Sequence, residues 1–138
     1  MYIHILSVSL TIVLDNQVHI IQIFLLEEKI RKLAIEFSRV YIITGPIMGD
    51  NRNGKVGSSN IYVPDKFFKA ILVPYKGSYV TIGFIMDNAD TTLGKLKEFA
   101  LSVDELEKQI DLDLFTNLDI ITENRIEKQL PLKQLGLY

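Results

Sequence analysis

Hydrophobic positions change their period along the chain, and each change marks an expected element. Residues 1–14 read MYIHILSVSLTIVL, an apolar run that Asp15-Asn16-Gln17 interrupts before a second run over 18–26. Both runs are rich in β-branched residues, and the polar tripeptide suits a turn, so the pattern predicts a hairpin of two strands. From Leu26 the period lengthens. Leu26, Ile30, Leu33 and Phe37 are spaced four, three and four apart with charged residues between them, which predicts an amphipathic helix of about three turns. Glu27 and Glu28 fall in its first turn, where the helix dipole favours carboxylates.

Val40-Tyr41-Ile42-Ile43-Thr44 predicts a strand buried on both faces and ended by Gly45-Pro46. Residues 48–60, MGDNRNGKVGSSN, have loop composition and no hydrophobic period. Strands are predicted at 61–63, 67–73 and 79–86, the last two joined by a five-residue hairpin loop over 74–78. Asp87-Asn88-Ala89-Asp90 breaks the sheet pattern. Ser102-Val103-Asp104-Glu105 has the S-x-x-E form of a capping box and places a helix start there. Residues 122–130 predict a further helix ahead of Pro131.

Composition narrows the class. A chain of 138 residues with 48% hydrophobic and 23% charged residues fits one globular domain. With zero Cys, disulfide frameworks, thiolate zinc sites and cysteine nucleophiles are excluded. Neither N-terminal apolar run approaches the roughly 20 residues of a membrane span. No basic residue precedes Lys29, as a secretory leader would require. The compartment is left open. The net charge of −2 conceals an imbalance: residues 27–86 carry nine basic and five acidic groups, whereas 87–138 carry six and eleven. A basic middle and an acidic end bear on steering and partners, not on fold.

Several short patterns imitate functional motifs. Gly49-Asp50-Asn51-Arg52-Asn53-Gly54-Lys55-Val56 nearly spells a phosphate-wrapping loop, but Val56 has no hydroxyl for magnesium and no helix pattern follows. The same stretch lacks the first and last acidic ligands of a calcium loop. Asp111, Asp113 and Asp119 fit a solvated face better than an acid–base pair. Aromatic residues among Lys55, Lys66, Lys69 and Lys76 could track single-stranded nucleic acid, although strand aromatics more often form core. His4 and His19 on apolar segments are more often packed than metal-bound.

The order of segments goes further. Leu26-Glu27-Glu28, then Val40 through Gly45-Pro46-Ile47, then Val63-Pro64-Asp65-Lys66-Phe67-Phe68-Lys69 and Ile82-Gly83-Phe84-Ile85-Met86-Asp87-Asn88 follow one another, ahead of Ser102-Val103-Asp104-Glu105-Leu106-Glu107. From about residue 26 the chain resembles the C-terminal half of the DNA/RNA non-specific endonucleases. The resemblance implies an α+β fold: an antiparallel β-sheet with flanking helices, here a partial His-Me finger (ββα-metal) endonuclease domain. Residues 1–138 are expected to be a single partial domain, with 1–25 divergent and 26–138 family-like.

The resemblance also implies magnesium-dependent phosphodiester hydrolysis of DNA or RNA without sequence specificity. In such chemistry a cation neutralises the developing phosphorane charge while an imidazole takes a proton. The family's D-R-G-H general-base motif is absent from these 138 residues. Its metal-binding Asn falls on His19, a weak magnesium ligand. Glu27, eight residues on, holds the position of the catalytic carboxylate that hydrogen-bonds metal-bound water. The expectation is a truncated, frame-shifted or degenerate member with little or no activity. Lys55, Lys66, Lys69 and Lys76 are the expected nucleic-acid contacts, and a homodimer or partner-dependent module is the alternative.

Overall fold

The computed structural model describes residues 17–49, 55, 58, 64–87 and 94–137, with the backbone alone for 17–24. Helix α1, Gln17–Phe37, opens the described chain. Strand β1, Tyr41–Ile47, β2, Lys66–Tyr75, and β3, Ser78–Asp87, follow. A 3-10 turn, Leu96–Phe99, leads into the short β4, Ala100–Leu101. Helices α2, Val103–Ile110, and α3, Ile120–Ile126, complete the order. The four strands form one antiparallel sheet in the order β1-β2-β3-β4, which makes the fold α+β as the sequence led us to expect.

Alternation along the strands divides the core into two layers. One face of the sheet carries Ile42, Phe67, Ile71, Val73, Val80, Ile82, Phe84 and Met86. Leu26, Ile30, Leu33 and Ala34 of α1 pack on it, joined by Leu135 and Leu137 of the C-terminal segment. The spacing read from the sequence is thus the buried stripe of α1, with Phe37 partly buried at its end. On the other face Phe68 and Ala70 meet Val103 and Leu106 of α2 and Leu114 beyond it. Gly83 permits that contact: a Cβ there would lie 3.0 Å from Leu106 Cδ2 and 3.4 Å from the Leu101 carbonyl oxygen.

Four local expectations are corrected. The predicted strand over 18–26 is helix, the first half of α1. An apolar run without polar interruptions has no period to separate strand from buried helix. The other half of the predicted hairpin, 1–16, lies outside the described residues, as does the predicted strand 61–63. Gly45 and Pro46 do not end β1 but sit inside it, and of its residues only Ile42 is buried. β1 is at the end of the strand order, where a missing N–H is tolerated. The five-residue hairpin loop shrinks to Lys76-Gly77, both at positive φ (46° and 76°), because Pro74 and Tyr75 pair with Tyr79 and Ser78. Two left-handed residues match the right-handed twist of the flanking strands. Lastly, α3 begins at Ile120 and ends at Ile126, earlier than the predicted 122–130. Asp119 sets that start by accepting the Thr122 N–H at 3.0 Å.

The capping box of α2 forms as its sequence predicts. Ser102 Oγ accepts the Glu105 N–H at 3.2 Å and Glu105 Oε2 accepts the Ser102 N–H at 3.2 Å. Among the described residues no helix is long and apolar enough to cross a membrane.

Candidate active site

Glu27 lies one residue after the buried Leu26, at the margin of the apolar stripe of α1. Its side chain is 45% exposed and its Oε1 accepts a hydrogen bond from Lys69 Nζ. Lys69 projects from the centre of the sheet, opposite Thr44 on β1 and Phe84 on β3. Its side chain is only 13% exposed, so the aliphatic stem crosses the apolar face and delivers the ammonium to the helix. One carboxylate oxygen of Glu27 is therefore occupied from below. The pair joins α1 to the strand on which it packs. Glu28 pairs instead with Arg31 along the helix surface.

The structure does not gather the four lysines on one surface. Lys66 and Lys76 stand at opposite ends of β2, about 30 Å apart at the usual rise of a strand. Lys66 shares the α2 face by alternation, whereas Lys69 is on the α1 face, engaged with Glu27. Lys76 Nζ sits 5.3 Å from the centre of the Tyr75 ring, which packs against Phe37 at 5.9 Å. Lys55 is exposed. His19 falls within α1, and its side chain is outside the described residues. Of the near-miss phosphate loop only Gly49 and Lys55 are described, and a Cβ on Gly49 would overlap Oδ2 of the buried Asp65.

The C-terminal carboxylates do not form an acid–base pair. Asp111 is exposed and takes the left-handed conformation that ends α2 (φ 55°). Hydrogen bonds from Thr122 hold the exposed Asp119 below the ordinary carboxylate range. Asp113 stands at the rim of a groove of about 420 Å³ on the α2 face, where Tyr41, Ile43, Tyr79 and Phe115 meet. Arg39 Nη1 donates to the Tyr41 hydroxyl at 3.2 Å beside it. The strand aromatics are thus divided: Phe67, Phe68 and Phe84 are core, while Tyr41 and Tyr79 open onto the groove.

Residues 24–120, which run from within α1 to the first residue of α3, match the DNA/RNA non-specific endonucleases. The chain belongs to that family. It is 36% identical over 107 residues to Nuclease C1 of Cunninghamella echinulata var. echinulata, an alignment covering 70% of this chain and 42% of the relative. The chain thus spans less than half the length of that nuclease. The endonuclease match places Glu27 inside the shared region and leaves residues 1–23 outside it.

Non-specific endonucleases are in general metal-dependent. Glu27 is a single carboxylate with one oxygen already on Lys69. Among the described residues no group of three His, Asp or Glu side chains is placed to hold a metal ion. The described residues thus offer one half-engaged carboxylate, and magnesium, which keeps several waters, commonly takes only one or two protein oxygens. The pairing of Glu27 with Lys69 was invisible in the sequence because 42 residues separate the partners. Only the β1-β2 register and the seat of α1 bring them together.

Proposed function

We propose that this chain is a degenerate non-specific endonuclease that retains contact with the sugar–phosphate backbone of DNA or RNA and has little or no hydrolytic activity of its own. The supporting observation is the state of Glu27: it has the family position but faces an ammonium from Lys69, and no described group completes a metal set. Backbone contacts without base-edge reading give salt-dependent, sequence-independent affinity. Lys66 and Lys76, separated along β2, then act as independent phosphate contacts.

A plasmid-nicking assay with magnesium tests the catalytic half of this reading. No nicking above buffer is expected. Robust cleavage abolished by Glu27→Ala would overturn it. Binding is tested separately: fluorescence anisotropy with a single-stranded oligonucleotide should weaken steeply with salt, and Lys66→Ala or Lys76→Ala should each lower the salt slope by about 1. A flat isotherm at low salt removes the binding half.

A second reading, a partner-dependent module or homodimer, is favoured by one observation. Ile120 and Ile121 of α3 are 71% and 79% exposed, with Leu112 nearby in sequence also exposed. Light scattering at micromolar concentration separates this from a monomer, since Ile120→Ser with Ile121→Ser should abolish any association made through α3.

A further inference from the structure

Behind α2, on the side of the sheet away from Glu27, the chain buries a carboxyl group without a counter-ion. Glu127 ends α3 and is 5% exposed. Among the described residues its Oε1 has no hydrogen-bond partner. Its backbone is held firmly: the Glu127 carbonyl accepts the Asp104 N–H at 3.0 Å, and its own N–H donates to the Glu123 carbonyl at 3.0 Å. This peptide therefore joins the first turn of α2 to the end of α3. One residue earlier, the Ile126 carbonyl accepts the Thr81 hydroxyl of β3 at 3.3 Å.

The charged groups that face Glu127 are all acidic: Asp104 and Glu107 from α2, Asp113 from the connecting segment, and Glu123 from α3. From β3 the neighbouring polar group is the neutral Thr81. Lys108 bonds Asp104 at 2.8 Å and Arg125 the Ser78 hydroxyl at 3.2 Å, and Lys128, the next residue, is exposed. Glu107 is tied down as an acceptor of the Leu114 N–H at 2.7 Å. A buried carboxylate amid like charges is relieved by a cation or by a proton. Among the described residues no set of three such ligands is placed for a metal ion, and a proton on Glu127 relieves the same cost.

We propose that Glu127 is a proton-dependent latch: its neutral carboxyl lets α2 and α3 dock together on β3, and loss of the proton loosens that junction. Burial, and then the charge of Glu107, push the Glu127 carboxyl up to about 8. Burial likewise raises Glu107 and Glu123 from the ordinary carboxylate range. The unfolded chain releases this proton near the ordinary value of about 4.5, whereas the folded chain keeps it to about 8. Between those limits the folded state binds more protons, so stability declines as pH rises. Below the lower limit both states are protonated and the effect vanishes.

The test is thermal unfolding of the full chain from pH 5 to pH 9, beside Glu127→Gln, which keeps the shape without the charge. The two should melt together at pH 5, with the wild type lower by roughly 5–10 °C at pH 9. Amide exchange at Asp104, corrected for its intrinsic pH dependence, should accelerate in the wild type over the same range and stay slow in Glu127→Gln. Parallel melting curves would overturn the proposal. So would millimolar calcium raising the wild-type melting temperature but not that of Glu127→Gln, since the carboxylate would then be an anion under a metal. Should the variant fail to fold, carbon-13 NMR of the wild-type glutamate carboxyls decides: Glu127 must titrate well above the others, and a midpoint below pH 6 sinks the latch.

Discussion

The two faces of the sheet deal with buried charge in opposite ways. On the α1 face, Lys69 crosses the apolar layer to meet Glu27, so a cation and an anion are joined at the rim of a large core. On the α2 face, a smaller core adjoins five carboxylates from α2, α3 and the segment between them, with Glu127 buried at their centre. Both faces belong to the same four-stranded sheet. The difference teaches that burial and partner act together on an acidic side chain, since Glu27 is half-exposed beside a lysine whereas Glu127 is buried among carboxylates. A strand lysine within reach stabilises the charge in one case, and the proton takes that part in the other. The α1 face should answer mainly to salt and to loss of apolar contacts, and the α2 face to pH.

Three substitutions would break or sharpen this contrast. The largest effect belongs to the α1 face. Phe84→Ala empties a fully buried ring from the main core and should lower stability by about 3–5 kcal/mol in urea unfolding. A loss under 1 kcal/mol would show that this layer is not the principal core. Next, Gly83→Ala tests the closeness of α2 to the sheet. Its methyl group would press on Leu106 Cδ2 at 3.0 Å and Cβ at 3.3 Å, and overpacking of this kind costs about 1–3 kcal/mol. An unchanged urea midpoint would mean that α2 slides freely over β3.

The smallest change concerns the cap that anchors α2 beside the carboxylates. Ser102→Ala removes one half of the capping box and should cost about 1 kcal/mol. Because Asp104 is the second residue after the Ser102 cap, the loss should also speed exchange of the Asp104 amide, which donates to Glu127. If stability falls while that amide stays protected, the cap and the Glu127 junction are energetically separate.

Much of this arrangement was legible in the residues themselves. The 4-3-4 spacing of Leu26, Ile30, Leu33 and Phe37 described the face that α1 buries, because helical period reports directly on which side meets a core. Ser102 and Glu105 announced the α2 start, since both partners of a capping box lie within one turn. The strand and Val-Pro segments pointed to a family that residues 24–120 match. The failures have equally local causes. The run over 18–26 lacks polar punctuation and was read as strand. Pro74 resembled a loop residue until its pairing with Tyr79 showed β2 passing through it.

By itself, the sequence determined the class of the fold, the buried stripe of α1, the cap of α2 and the family that residues 24–120 match. Each of these depends on residues within a few positions of one another, where backbone geometry ties spacing to direction. Only the tertiary structure decided that Lys69 belongs to Glu27, that the four lysines share no surface, and that Glu127 sits buried among carboxylates. Those outcomes rest on strand register and on how α1, α2 and α3 seat against the sheet. Charge interactions depend on distance and burial, and neither is written in the order of residues along the chain.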